Sequence, residues 1–261
     1  MITPETPLRR GPELPRRYTT ADLGVLTRAE ARRFLPEEGT DPQRDAALDW
    51  ELLYRLEPEL YDRLVTAERL HRGVLEWLPH DVARIVEVGA GTGRLTLELI
   101  DRAKELVAVE PAAPLREVLV RKLSREDTGH RVRVIDGFFD DLPVADDWAD
   151  LVVSCSALTP AAGHGGDVGL AEMERVCKPS GTVVIVWPNN LDWLASYGYR
   201  HASFPGEMFV EFASREEAAE LAAIFYPDAL EAVRRLGSRR VPYRLLGINP
   251  PRDLAYKTMA Q

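Results

Sequence analysis

Residues 85–100 read Ile85-Val-Glu87-Val-Gly89-Ala90-Gly91-Thr-Gly93-Arg94-Leu-Thr-Leu-Glu-Leu-Ile100. An apolar, β-branched run leads straight into three alternating glycines, which lead into a segment whose Leu95, Leu99 and Ile100 can share one helix face. The order is strand, tight loop, helix. Glycine tolerates positive φ and lets backbone N–H groups come close to a ligand, and the start of a helix adds partial positive charge, so the turn suits a polar or anionic cofactor. Spacing narrows the choice. A dinucleotide fingerprint GxGxxG counted from Gly89 needs glycine where Arg94 stands, and a GxxxxGK[ST] phosphate loop is absent. What stands is ExGxGxG, with Glu87 at a place that repels a pyrophosphate and welcomes an ammonium group.

The alternation continues outward. Apolar, β-branched runs at 85–88, 106–109, 132–135, 151–154 and 183–187 are separated by segments long enough for a helix or a substantial loop. This is the pattern of an α/β protein with a doubly wound, mostly parallel sheet. Ligands of such sheets bind beyond the carboxyl ends of the strands, which makes 89–93, Glu110, 136–139, 154–159 and 188–190 the candidate positions. Ahead of the sheet the pattern is helical. Thr27 and Glu30 form a capping box, Pro36 ends that helix, 45–56 is a second, and Pro58 opens a third that runs towards Leu78 and ends at Pro79. Behind the sheet come a strand-like Met208 to Phe212, a helix from Ser214 with Glu217 in the capping-box position, a break at Pro227, a stop at Gly237, and candidate strands at 241–248 and 254–259. The expected division is a Pro/Arg-rich arm over 1–19, a helical cap over 20–80, and a sheet domain with C-terminal substrate-side elements over 81–261.

Glu87-Val-Gly-Ala-Gly-Thr-Gly93, Val107-Ala-Val-Glu110-Pro111 and Cys177-Lys-Pro-Ser-Gly181, in that order, resemble the motifs of the class I S-adenosylmethionine-dependent methyltransferases. The resemblance covers about residues 74–190. It implies a seven-stranded Rossmann-like methyltransferase fold with an N-terminal helical extension, S-adenosylmethionine as cofactor and S-adenosylhomocysteine as product. Carried over residue by residue, it gives Gly89, Ala90, Gly91 and Gly93 the methionine end of the cofactor and Glu87 its amino group. Glu110, beside Pro111, would take the ribose hydroxyls, a task suited to two carboxylate oxygens. The family often reads Gly-Asp-Ala before Leu-Pro after the third strand. Here Gly137-Phe138-Phe139 precedes Leu142-Pro143, so the adenine-reading acid is replaced. Either Phe138 and Phe139 sandwich the ring, or Asp136 or Asp140 reaches it. Ser154, ending the fourth strand, completes the expected cofactor set.

A sulfonium methyl is already activated, so such an enzyme works mainly by proximity and in-line orientation, sometimes with a general base. The acceptor is expected beyond the fourth and fifth strands, beside 154–159 and Trp187, Asn189 and Asn190, under the N-terminal helices. His164, in Gly163-His-Gly-Gly166, is the one candidate base and equally a solvated loop histidine. Asn189 and Asn190 are equally turn residues, Trp187 equally a core residue, Asp150 a structural strand-start acid, and His201, among Tyr197, Tyr199 and Phe204, a lid or plain surface residue. Ribosomal-RNA adenine dimethyltransferases share a similar glycine loop. They carry Asn-[Ile/Leu]-Pro-[Tyr/Phe] after strand four, where this chain has Ser154-Cys-Ser-Ala157. Arginines 234, 235, 239, 240 and 244 form its one basic cluster. A binding-only protein, which holds the cofactor without turnover, is the other alternative.

The expected acceptor is a small molecule, and composition agrees with that. The chain has 261 residues, 45% hydrophobic and 29% charged, and a formal charge of −9, which disfavours phosphate backbones as partners. Its two cysteines, Cys155 and Cys177, build no disulfide framework and no metal spacing, and no apolar run is long enough for a signal peptide or a membrane span. The expectation is a cytoplasmic enzyme with no metal and no membrane partner; its oligomeric state is not readable.

Overall fold

The computed structural model describes residues 14, 17–34, 42–126, 128 and 131–260. The arm expected over 1–19, apart from Leu14 and 17–19, and the stop at Pro36 lie outside the described residues. Helices α1 (Arg28–Phe34), α2 (Pro42–Leu56), α3 (Pro58–Ala67) and α4 (Arg72–Trp77) precede the sheet. Then follow β1 (Val82–Val88), α5 (Thr96–Leu99), β2 (Ala103–Val109), α6 (Ala113–Leu123), β3 (Val132–Ile135) and β4 (Ala149–Cys155). Helix α7 (Gly166–Val176), β5 (Cys177–Val186), α8 (Leu191–Ser196), β6 (Arg200–Ser203) and β7 (Phe209–Glu211) continue the chain. It closes with α9 (Arg215–Phe225), α10 (Leu230–Leu236), β8 (Arg240–Pro242), α11 (Tyr243–Leu246) and β9 (Asp253–Thr258).

Seven strands form one sheet in the order β3-β2-β1-β4-β5-β9-β6. The first five run parallel, and β9 enters antiparallel between β5 and β6. This is the doubly wound, mostly parallel seven-stranded sheet the sequence implied. Period-2 alternation sorts its side chains into two cores. Ile85, Leu151, Val153, Val184 and Val186 pack with Leu64 and Val74 of the N-terminal helices and with Phe225, Tyr226 and Tyr243 of the C-terminal segment. Val86, Val88, Val152, Val183 and Ile185 pack with Leu170, Met173 and Val176 of α7.

Local chemistry sets the helix starts. The Thr27 hydroxyl accepts from Glu30 N–H at 3.2 Å while the Glu30 carboxylate accepts from Thr27 N–H at 2.7 Å, the reciprocal capping box expected there. Ser214 caps α9, accepting from Glu217 N–H at 3.1 Å, while the Glu217 carboxylate accepts from Ala213 N–H at 2.6 Å. The helix expected to run from Pro58 to Leu78 is instead two helices. The chain leaves helical geometry at Glu68 (φ −89°, ψ 73°), and the His71 imidazole starts α4 by accepting from Gly73 N–H at 2.9 Å.

Two corrections fall in the C-terminal part. Of the expected strand at 241–248 only 241–242 fall in β8, and Tyr243–Leu246 is a helical turn. Pro242 has no N–H to give a ladder, Tyr243 and Leu246 bury at i,i+3 spacing, and Gly247 stops the turn at φ 72°. The sequence reading also lacked β6. Its Arg200, His201 and Ser203 are exposed, the mark of an edge strand blunted by polar residues, so no apolar alternation announces it. His201 therefore sits on a sheet edge, with Nε2 3.4 Å from Asp253, and not in a lid.

Candidate functional site

The carboxyl ends of β1, β2, β4 and β5 open into a cleft walled by the N-terminal helices. The glycine loop forms its floor. Gly89 (φ 74°) and Gly91 (φ 55°) adopt the left-handed backbone that glycine favours, and both face the cleft. A Cβ on Gly89 would lie 2.7 Å from Ala157 Cβ, so the floor has no room for one.

Glu110, next after β2, is the best-fixed polar group of the site. Its Oε2 accepts from Gly91 N–H at 2.9 Å and its Oε1 from Ala112 N–H at 2.8 Å, while its backbone carbonyl accepts from Arg116 at 2.6 Å. Burial pushes its carboxyl above the ordinary range, and the two N–H donors oppose that rise. Each oxygen keeps a further lone pair for a ligand in the cleft. Pro111, Leu115 and Phe139 line the same end.

Several expected residues lie one layer away. Glu87 does not line the cleft; it is 1% exposed beneath the loop and accepts from the Thr96 hydroxyl at 2.6 Å. Ala90 and Gly93 support the loop from behind: Ala90 packs with Leu119, and a Cβ on Gly93 would meet Leu119 Cδ1 at 2.6 Å. Gly137 fits against Pro143 and Val109. Of the adenine candidates only Phe139 reaches the cleft. Phe138 lies under the Arg33 guanidinium at 4.1 Å, Asp136 pairs with Arg116 at 2.8 Å, and Asp140 pairs with Arg33 at 2.7 Å while its Oδ1 is buried without a partner. Ser154 is fully buried on the α7 side, and Ser156, two residues on, lines the cleft in its place.

On the acceptor side, Trp187, Asn189 and His164 all line the cleft. Trp187 is held at φ 51° with its indole N–H on the Asn249 carbonyl at 3.2 Å. Burial lowers the His164 pKa, so its ring stays neutral near pH 7. Asn190 does not join them. Its side chain caps α8, accepting from Trp193 N–H at 2.9 Å. Asp150 is the strand-start acid expected, accepting from Arg84 N–H and pairing with Lys178.

The roof comes from α2 and α3, N-terminal helices as expected, but its lining residues were not named from the sequence. Trp50, Glu51, Tyr54, Tyr61, Leu64 and Val65 line it, with Glu68 just beyond. Aromatic residues at i,i+4 (Trp50, Tyr54), with Glu51 set into an otherwise apolar run, were the available signal. Arg94, noticed in the sequence only because it is not glycine, reaches up to meet this roof. Its guanidinium donates to Glu68 at 3.1 Å and sits 5.2 Å from the Trp187 ring, while the Tyr226 hydroxyl donates to the other Glu68 oxygen at 2.6 Å.

Burial pushes the Glu87 pKa up to about 8 from 4.5, with Glu110 adding to the rise and the Thr96 bond opposing it. Between those values the folded chain keeps a proton that the unfolded chain has released, so this group makes stability fall as pH rises from 4.5 to 8. In Glu87→Gln that share of the fall should vanish. Urea midpoints of variant and parent should coincide near the lower pH and diverge in the variant's favour towards the upper; parallel profiles would refute the assignment.

Among the described residues no group of three or more His, Cys, Asp or Glu side chains could hold a metal ion, and no helix is long and apolar enough to cross a membrane. Residues 85–181 match the family model described as a methyltransferase domain. An uncharacterized methyltransferase of Geobacillus kaustophilus is 32% identical over 100 residues, which cover 38% of this chain and 44% of that protein. One of Mycobacterium tuberculosis is 31% identical over 130 residues, covering 48% and 49%. The chain thus spans just under half the length of these curated relatives. A solved chain from the complex of the Haloferax volcanii Trm112 methyltransferase activator with a methyltransferase superposes with a TM-score of 0.50 at 16% identity, covering 80% of this chain and 96% of that one. Residues 85–181 thus carry a methyltransferase domain, and the strand order, the glycine loop and the acid closing β2 stand where the resemblance to the class I S-adenosylmethionine-dependent methyltransferases implied.

Proposed function

We propose that this protein binds S-adenosylmethionine in the cleft and transfers its methyl group to a small-molecule acceptor by in-line displacement. The observation that carries the reading is Glu110, whose two oxygens are aligned by Gly91 and Ala112 N–H and face a cleft floored by the glycine loop. In this reading Glu110 takes the ribose hydroxyls, and Gly89 and Gly91 let the backbone approach the methionine end. Phe139 covers the adenine, and of the two acids that stand two residues from Phe138, Asp140 is the one with a buried unpartnered oxygen. Glu87 supports the loop from beneath. The acceptor lies between the α2–α3 roof and Trp187, Asn189 and His164. Bound there, the cofactor supplies an activated methyl; the protein contributes alignment and the exclusion of water.

Calorimetric titration with S-adenosylmethionine and S-adenosylhomocysteine tests the cofactor. Saturable binding of both is expected, and binding of neither at millimolar concentration would sink the reading. Incubation with methyl-labelled cofactor and fractionated cell extract tests transfer. Label is expected in the small-molecule fraction. Label in RNA or protein would overturn the acceptor class, and cofactor binding without any transfer would leave a binding protein.

A further inference from the structure

The roof of the cleft is both aromatic and acidic. The Tyr54 and Tyr61 rings meet edge to face at 4.8 Å, and Trp50 stands 6.0 Å from the first and 6.4 Å from the second. Glu51 opens into the same space and is 5% exposed. Neither tyrosine hydroxyl has a hydrogen-bond partner among the described residues. Ring faces carry negative potential and attract cations, most strongly where water is excluded.

The charges of the cleft point the same way. Glu51, Glu68 and Glu110 line it against one guanidinium, Arg94, which Glu68 already neutralises. Arg55 lies between Glu51 and Glu30, 2.5 Å from the latter, and can balance only one of them. His164 adds no positive charge near neutral pH. S-adenosylmethionine carries one net positive charge, its sulfonium and ammonium set against one carboxylate. The occupied cleft would still hold an excess negative charge, so a phosphate- or carboxylate-bearing acceptor would meet repulsion and a cation would be drawn in.

We infer that the acceptor is an amine, seated as its ammonium ion between the Trp50, Tyr54 and Tyr61 rings and the Glu51 carboxylate, and that Glu51 takes its proton. The inference rests on the methyltransferase reading above. The ammonium gives one proton to Glu51, and the nitrogen lone pair so freed forms the N–C bond as the C–S bond breaks. The C–S electron pair stays on sulfur, S-adenosylhomocysteine leaves, the product nitrogen is again a cation, and the proton on Glu51 passes to water at the cleft mouth. Burial pushes the Glu51 carboxyl up to about 7; Arg55 on its own helix opposes this, and Glu110 at the end of β2 and Glu30 of α1 add to it. A group in that range can both accept and release a proton at neutral pH.

The test uses the full chain saturated with S-adenosylhomocysteine and titrated with choline and with 3,3-dimethylbutan-1-ol, nearly the same shape without the charge. Choline should bind about 10-fold more tightly. Glu51→Gln should remove most of that preference while S-adenosylhomocysteine affinity, measured alongside, reports that the fold is intact; Tyr54→Leu serves if the first variant does not fold. Equal binding of the two probes, or no choline binding to protein that holds S-adenosylhomocysteine, overturns the inference. Competition between choline and S-adenosylhomocysteine also overturns it, because the rings would then serve the cofactor. Failure to bind S-adenosylhomocysteine at all would instead remove the methyltransferase reading.

Discussion

Arg94→Met is expected to destabilise the protein by about 3–5 kcal/mol, the usual cost of leaving one member of a buried ion pair without its partner. Glu68 is 2% exposed, and once the guanidinium is gone only the Tyr226 hydroxyl remains to compensate its charge. Burial already pushes the Glu68 carboxyl above its ordinary range even with Arg94 present, and loss of the guanidinium pushes it further up. In a chain this long the loss corresponds to a melting temperature lower by roughly 6–20 °C. The double variant Glu68→Gln/Arg94→Met should recover much of the loss, since a neutral amide can still accept from Tyr226 and no charge is left buried. Calorimetric melting of the parent, the single variants and the double variant measures the coupling. Additive losses would show that the two groups do not act as a pair.

Glu110→Ala should weaken S-adenosylhomocysteine binding by about 1–3 kcal/mol, or roughly 5- to 150-fold, through the loss of charge-assisted hydrogen bonds. The geometry adds a second effect. The carboxylate also accepts from Gly91 and Ala112 N–H, so the variant leaves two buried donors to find other partners and loosens the loop that floors the cleft. Glu110→Gln should lie between parent and alanine variant, because the amide oxygen can satisfy one donor while its NH2 group faces the other. Calorimetry on the three proteins gives the order, and unchanged affinity in Glu110→Ala would remove Glu110 from the site.

The sheet was legible because its strands are β-branched and buried on both faces, and the glycine loop because few other residues adopt the backbone of Gly89 and Gly91. Glu110, Phe139, His164, Trp187 and Asn189 were named from positions relative to strand ends, and each lines the cleft. Ser154 shows the limit of counting along a strand: β4 runs one residue further, to Cys155, and the positive φ of Ser156 turns the chain towards the cleft only there. The roof was expected from the N-terminal helices, but its residues were hidden for a different reason. Trp50, Tyr54 and Tyr61 read as the apolar face of ordinary amphipathic helices, and nothing local says whether such a face meets a core or a ligand. Arg94 was hidden because its partner Glu68 and the Trp187 ring beside it are not its neighbours in the chain.

Glu68 bears on how this protein could be taken apart or recombined. Its one carboxylate joins the turn after α3, the glycine loop and the chain end of α9. The stretch 85–181 that matches the family is therefore not a detachable module: excised, it would lose the counter-charge of Arg94 together with the helices that cover it and the core that Ile85, Leu151 and Val153 share with them. A chimera that grafts another helical cap onto this sheet must bring an acid to the position of Glu68, or replace Arg94 at the same time.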